Sequence, residues 1–443
     1  MNSVALPFAD SLPPVALRAR RRIAWRLLPF LILLYVVAYI DRVNVGYAKL
    51  RMADELRFSD AVYGFGAGIF FIGYVLLEIP GTLLVERWSA RLWISRIMIS
   101  WGIIAVLTGF IQTKTHFYCA RFLLGLGEAG FFPGIIVYLS HWFRPEDRAK
   151  AVALFITAIP VSGIFGAPLS GLLLDHNWLG LAGWRWVFII EGIPAVLLGI
   201  VVLFHLPDRP KDAKWLPDDE RAWITAELER ERQIKASHHA RDWWRALKEP
   251  TVLLLTLGYF CAVTGQYGFN LWLPTMIKSL SGLPNLFVTL FAALPFCVAL
   301  VALVCAGWSS DRRNERIWHT AGMMLLASAA LFGTANAGDS FHLSLALFCL
   351  ACAGVYGFVP SFWALPSTYL SGSAAAAAVG LINSLGNVGG FVGPYIVGEI
   401  RERTQSHLGA MLFLSLMLAC GAGTILALKL CGRGRHESAA PPR

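Results

Sequence analysis

The sequence predicts an all-α integral membrane protein: twelve transmembrane helices in two six-helix bundles related by pseudo-two-fold symmetry. Three observations predict it. The 443-residue chain is 56% hydrophobic and only 15% charged, with a mean hydropathy of +0.59, whereas soluble proteins average about 25% charged residues. Apolar stretches of the ~20 residues needed to cross a bilayer recur from end to end, with no large soluble block between them. Short motifs also recur at one fixed offset, the signature of an internal duplication.

Taken in order, the spans are predicted at 27–47, 61–85, 93–113, 117–142, 149–174, 184–206, 251–277, 286–308, 316–337, 341–364, 376–399 and 407–430. Residues 1–26 form an N-terminal segment, 27–206 the first bundle, 207–250 a linker, 251–430 the second bundle and 431–443 a tail. Lys and Arg near the helix ends set the orientation. One side collects Arg18, Arg20, Arg21, Arg22 and Arg26, Arg87 and Arg91, Arg144, Arg148 and Lys150, the linker, Arg312, Arg313 and Arg316, and Lys429, Arg433 and Arg435. The other holds Lys49, Arg51, Arg57, Lys114, Lys278, Arg401 and Arg403. Both termini are therefore expected to be cytoplasmic, in a bacterial inner membrane. In the linker, Pro217 followed by Asp218, Asp219 and Glu220 opens a polar surface helix running to about Gln233, read as a tether between the halves.

The halves repeat. Glu86-Arg87 after the second span matches Asp311-Arg312 after the eighth. Gly130-Phe131-Phe132-Pro133 in the fourth matches Gly357-Phe358-Val359-Pro360 in the tenth. Gly166-Ala167-Pro168 in the fifth matches Gly393-Pro394 in the eleventh. All three offsets lie between 225 and 227 residues.

The net charge of +10 does not indicate nucleic acid, because the basic residues sit in short loops between apolar runs. The cysteines lie inside apolar segments and read as buried small apolar fillers. Arg18–Arg26 runs directly into a segment long enough to span, so it reads as an anchor rather than a cleaved signal. There is no Walker loop, no metal-ligand spacing and no enzyme constellation. The expected partners are a small organic acid, protons and membrane lipid; no cofactor or metal is expected, and the chain reads as a monomer.

Gly307-Trp308-Ser309-Ser310-Asp311-Arg312 resembles the cytoplasmic loop signature of the major facilitator superfamily. The first-half copy departs from it at Glu86, Thr82 and Ser89. Within that superfamily the chain is similar to the anion:cation symporters. The similarity is carried by Tyr39-Ile40-Asp41-Arg42-Val43-Asn44, Gly73-Tyr74, Glu78-Ile79-Pro80, Arg121, Gly125, Glu128 and Phe132-Pro133. It continues from Pro360 through Phe362-Trp363-Ala364-Leu365-Pro366 to Leu381-Ile382-Asn383-Ser384. It covers about residues 25–430, and the wording looks most like the tartrate, rhamnonate and 4-hydroxyphenylacetate permeases. The resemblance implies the major facilitator fold and carriage of an organic anion together with protons.

The residues themselves support that chemistry. Asp41 and Arg42 interrupt an apolar span, where a charge is costly and marks function. At 1.5 Å per residue Asp41 and Glu128 both lie roughly 21 Å from the cytoplasmic ends of their helices. That depth makes them candidate proton carriers, with Arg121 holding and releasing the acids. Arg121, Gly125, Glu128 and Phe132 share one helix face. Tyr35, Tyr39, Arg42 and Gly46 form a second stripe, placing Arg42 among aromatics as a clamp for a carboxylate. Alternatively Asp41 with Arg121, and Arg42 with Glu128, form a permanent structural ion-pair network. The second half offers polar stripes in place of charges. Gln266 and Asn270 share a face with Tyr259, Trp363 lies near Tyr356 and Pro360, and Asn383 and Asn387 lie on the eleventh span. With Tyr39 and Tyr74 these are the candidate substrate contacts; close interhelical packing is the plainer reading of each. Glu78 and Glu191 are read as structural. Glu86, Arg87, Asp311 and Arg312 are read as a gate locking the cytoplasmic side, and the Gly-Pro clusters at 163–171 and 386–398 as close-packing elements.

The sequence thus predicts proton-coupled symport of a sugar acid, hydroxy-dicarboxylate or aromatic carboxylate by alternating access. The competing readings are an exchanger or drug:proton antiporter on the same fold, and a transporter-like sensor.

Overall fold

In a bilayer the backbone N–H and C=O groups find no water, so a spanning chain must satisfy them internally. The computed structural model, which describes residues 13–87, 89–236, 249–338, 340–369 and 372–437, does so as helices. The spans are Pro14–Leu56, Asp60–Arg87, Ala90–Thr108, Lys114–Ser140, Pro145–Leu174, Gly183–His205, Pro250–Ser281, Asn285–Arg313, Ile317–Ala335 and Phe341–Tyr369. The eleventh comprises Gly372–Asn387 and Gly389–Thr404, and the twelfth is Leu408–Glu437. Among the described residues, eleven segments are long and apolar enough to cross a membrane. The eleventh span is the exception, because it is interrupted at Val388 and ends among Glu399, Arg401, Glu402 and Arg403. The protein is a multi-pass membrane protein.

Several spans predicted as unbroken helices are interrupted. In the fourth, the helix stops at Glu128, Gly130 takes a φ of 83°, and a new helix starts at Phe131. Gly tolerates that left-handed backbone, and Pro133 lacks the N–H that would otherwise bond back to residue 129. The tenth span pauses at Phe358, two residues before Pro360. The repeated Gly-Phe-x-Pro motif therefore marks a helix break in each half.

Packing repeats in the same way. The third span lies on the sixth as the ninth lies on the twelfth, and the second on the fourth as the eighth on the tenth. Between halves, the second span meets the eleventh and the fifth meets the eighth. These contacts use the Gly-Pro clusters, with Gly163 against Phe296 and Gly390 against Phe71.

The most demanding approach lies within the first half. A Cβ on Gly125 would stand 1.9 Å from the Phe70 carbonyl oxygen and 3.0 Å from the Tyr74 nitrogen. Both are backbone atoms of the second span and cannot swing aside. The second span thus packs directly on Gly125, which fixes the turn carrying Arg121 and Glu128. Gly125→Ala is expected to cost about 3 kcal/mol, the upper range for overpacking. Gly127→Ala, which would meet the Ile104 side-chain tip at 3.3 Å and the Trp101 backbone at an ordinary 3.5 Å, should be nearly neutral. Thermal unfolding in detergent checks this, and equal midpoints for the two variants would refute it.

The linker helix Asp218–Ala236 docks on the first half. Asp219 pairs with Arg18 at 2.8 Å, Glu220 with Arg22 at 3.0 Å and Glu231 with Arg148 at 2.9 Å, while Trp215 stacks on Trp142. The cysteines differ from expectation. Cys261 and Cys352 are buried, but Cys119, Cys297, Cys305 and Cys420 face out of the bundle. Apolar surroundings in sequence identify a span and not the face of it, and outward positions suit a lipid-facing thiol equally well.

Candidate functional site

Successive residues on a helix point about 100° apart, so Asp41 and Arg42 cannot face the same way. Arg42 turns toward the second half. Its Nε donates to Glu128 Oε1 at 3.0 Å, its Nη2 bonds the same oxygen, and its Nη1 donates to the Tyr267 hydroxyl at 3.1 Å. The guanidinium carbon lies 5.2 Å from the Tyr39 and Tyr74 ring centres and 5.5 Å from that of Phe70. The cation is 7% exposed and Glu128 1%, so the pair is held away from water by aromatic rings.

Arg42 lines a cavity of about 60 Å³ with Tyr35, Tyr39, Tyr74, Phe132, Tyr259, Gln266, Tyr267, Trp363, Asn383 and Asn387. Chain direction puts it on the side of Arg42 nearer the basic helix ends, the side of Phe132, Ile156 and Trp363. Of the residues predicted as substrate contacts, Arg42, Tyr39, Tyr74, Gln266, Trp363, Asn383 and Asn387 converge there. Asn270 does not: its amide donates to the Tyr356 hydroxyl at 2.7 Å. Asn383 is also bonded to Glu78, so a carboxyl from the second span positions one wall of the cavity.

The residues predicted for proton coupling divide. Glu128 reaches the cavity only through Arg42. Asp41 points toward the third span, where Trp101 Nε1 donates to its Oδ2 at 3.0 Å. Arg121 is fully buried, and its Nη2 donates to the Arg42 carbonyl at 3.4 Å, while its Nε and Nη1 find no hydrogen-bond partner. The Arg42–Glu128 half of the anticipated ion-pair network is present; Asp41 and Arg121 make no direct ion pair.

Tyr267 is the site residue that the sequence reading missed. It touches Arg42, and its hydroxyl stands 3.0 Å from that of Tyr39. It follows Gln266 directly, about 100° around the helix from the face of Tyr259, Gln266 and Asn270, so that stripe did not mark it.

The side of the molecule opposite the basic helix ends is closed by ions. Lys49 bonds Asp60 at 2.6 Å, and Asp60 bonds Arg401 of the eleventh span at 2.9 Å. Lys49 and Arg401 lie over the Trp272 ring at 3.8 and 5.1 Å. Of the predicted gating residues, Asp311 is largely exposed and pairs with Arg316, and Arg312 covers Trp308. The side chains of Glu86 and Arg87 lie outside the described residues. Among the described residues no three His, Cys, Asp or Glu side chains gather as metal ligands.

Comparison with known proteins agrees with this architecture. The family described as Major Facilitator Superfamily matches residues 31–394. A protein of Agrobacterium vitis, named provisionally as a tartrate transporter, is 46% identical over 93% of this chain and 94% of its own length. The inner membrane transport protein RhmT of Escherichia coli is 34% identical over 91% and 94%. A quinolone resistance transporter of Acinetobacter baumannii is 38% identical over 90% and 92%. In fold, the chain is similar to a bacterial homologue of the lysosomal transporter Spinster (TM-score 0.74, 18% identity, 94% and 98% covered). It is also similar to the xylose transporter XylE of Escherichia coli (TM-score 0.71, 13% identity, 92% and 98% covered).

Proposed function

The chain belongs to the Major Facilitator Superfamily, whose members move solutes across membranes, and from that premise we propose that it imports an organic acid together with protons. One observation carries the reading: Arg42, on the cavity wall, is held by Glu128 and Tyr267. An incoming carboxylate competes with Glu128 for the same guanidinium edge. Protonation removes the negative charge of Glu128 and frees Arg42 for the ligand, so proton and anion bind together. When the anion leaves, Glu128 releases its proton and retakes Arg42. Neither charge is left buried and unpaired, a state that costs about 3–5 kcal/mol.

The electrical balance favours the same scheme. A monoanion entering alone would move against an inside-negative potential at about 2.3 kcal/mol per 100 mV, and one accompanying proton removes that cost. Opposite Arg42, the amides of Asn383, Asn387 and Gln266 suit hydroxyl groups, and the tyrosines with Trp363 suit a flat or aliphatic body. A hydroxy-dicarboxylate such as tartrate fits this set. In this scheme two six-helix bundles, 27–206 and 251–430, rock about the site, as a monomer in the bacterial inner membrane with both termini cytoplasmic.

Purified protein in proteoliposomes, assayed with labelled tartrate, tests the reading. Inwardly directed proton gradients, with the outside acidic, should drive accumulation. Glu128→Gln should abolish that drive while preserving much of the tartrate exchange between preloaded and external pools. Absence of carboxylate exchange at any pH would overturn it. The quinolone-resistance relative and the aromatic lining favour a second reading, exchange-driven export of an aromatic acid. It predicts counterflow of labelled aromatic carboxylates and none of tartrate.

A further inference from the structure

Away from the cavity, the first half encloses a second polar site assembled from four spans. Asp41 and Asn44 come from the first, Trp101 from the third, Ser170 from the fifth and Glu191 from the sixth. Trp101 Nε1 donates to Asp41 Oδ2 at 3.0 Å and Ser170 Oγ donates to Glu191 Oε1 at 2.7 Å. Each carboxyl therefore keeps one oxygen anchored and one idle: Asp41 Oδ1 and Glu191 Oε2 have no hydrogen-bond partner. Asn44, 1% exposed, turns its amide toward Glu191. Glu191 is the strongest electrostatic neighbour of Asp41, ahead of Glu128 and Arg121; Tyr47 also faces Glu191.

Buried polar atoms are almost always paired, so an idle oxygen on each of two buried carboxyls implies a missing ligand. The charges say which. Two ionised carboxylates beside the single cation Arg121 leave an excess negative charge in a dry interior, at a cost of several kcal/mol. One proton bound between them neutralises the site, while Arg42 and Glu128 balance each other separately. The protonated carboxyl has an idle oxygen or the Asn44 carbonyl to donate its O–H to, and neighbouring like-charged acids hold one proton in common.

We infer that Asp41 and Glu191 form a shared proton-binding site, with Asn44, Trp101 and Ser170 as positioning residues. The inference deepens the proton-coupled reading and rests on it. It makes Glu191, on a span the substrate never meets, part of the coupling machinery.

Infrared pH titration of the full-length protein in lipid nanodiscs tests the site without any substrate. A carboxylic C=O band is expected at neutral pH. Asp41→Asn and Glu191→Gln should each abolish it, and the double variant should remove nothing more, because one shared proton gives one band. Trp101→Phe, which keeps both acids, should shift the band by removing the hydrogen bond to Asp41. If Glu191→Gln leaves the position and titration midpoint of the Asp41 band unchanged, the inference fails. It also fails if added NaCl, at constant pH, abolishes the band, since the site would then bind sodium. Tartrate exchange assayed in parallel keeps the two readings separate: a shared band without exchange refutes the carboxylate substrate and leaves the paired acids standing.

Discussion

Arg42→Ala is expected to lower tartrate exchange by about 100- to 4000-fold. The figure follows from what the guanidinium holds. Truncation leaves Glu128 buried without a partner, a loss of about 3–5 kcal/mol, and each 1.4 kcal/mol is a factor of ten in binding. Arg42→Lys should recover little, because an ammonium cannot reproduce the Nε and Nη2 contacts to Glu128 together with the Nη1 contact to Tyr267. The double variant Arg42→Met, Glu128→Gln separates binding from architecture. If the pair serves only to hold the first and fourth spans together, replacing both charges should restore thermal stability and transport alike. If Arg42 receives the carboxylate, stability returns and exchange does not. Thermal unfolding together with labelled-tartrate counterflow reads the outcome, and recovery of transport in the double variant would defeat the clamp.

The sequence revealed depth more readily than direction. Asp41, Arg42, Arg121 and Glu128 stood out because each interrupts an apolar run, and counting residues set Asp41 level with Glu128. Their azimuths follow a different rule. Adjacent positions differ by about 100° around the helix, which sends Arg42 to the cavity and Asp41 to Trp101 and Glu191. Glu191 was legible as a buried acid, but its partners lie 21 residues away at Ser170 and 150 away at Asp41, and no local pattern joins them. Tyr267 was hidden by the same rule, since it stands about 100° from Gln266 and off the stripe of Tyr259, Gln266 and Asn270. The closure by Lys49, Asp60 and Arg401 was not legible: Lys49 and Arg401 served only to orient the chain, Asp60 was not singled out, and only the packing of the second span on the eleventh brings Asp60 to Arg401. The helix breaks at Gly130 and Phe358 were marked by the Gly-Phe-x-Pro repeat, whose proline removes the same backbone donor in both halves.

Asp60→Asn is expected to unlatch the closed side. The Asp60 carboxylate bonds Lys49 through one oxygen and Arg401 through the other, at 2.6 and 2.9 Å, and Ala61 N–H reaches Glu402 at 3.3 Å. The side chain of Asp60 is 23% exposed and that of Arg401 16%, so solvent screens part of the interaction. A charged hydrogen bond contributes about 1.5–3 kcal/mol; allowing for screening, losing both at Asp60 should cost the latch about 2 kcal/mol. It also leaves two cations facing one another across Trp272. At 1.4 kcal/mol per decade, the ratio of unlatched to latched molecules rises about 30-fold, enough to bring a state populated at about 1% to roughly a quarter of the molecules. Arg401→Gln, which leaves Lys49 with Asp60, should do less. His407 adds a pH dependence. Burial first, and then the cations of Arg401 and Lys49, press its ring down from 6.5 to about 3, with Asp60 opposing. When unlatching exposes the ring it regains its ordinary affinity for protons, so the unlatched form binds more protons between pH 6.5 and 3. The latch is therefore strongest above pH 6.5 and weakens as the pH falls through that window. Spin labels at Leu179 and Gln405, exposed positions on the two halves at this end, report the separation in a background with the native cysteines replaced. A longer-distance population should grow in Asp60→Asn and, in the otherwise unmodified latch, on acidification. His407→Gln should remove the part of the acid response due to the ring. Distance distributions that are the same with and without the Asp60 carboxylate would mean that something other than this ion cluster holds the two halves closed.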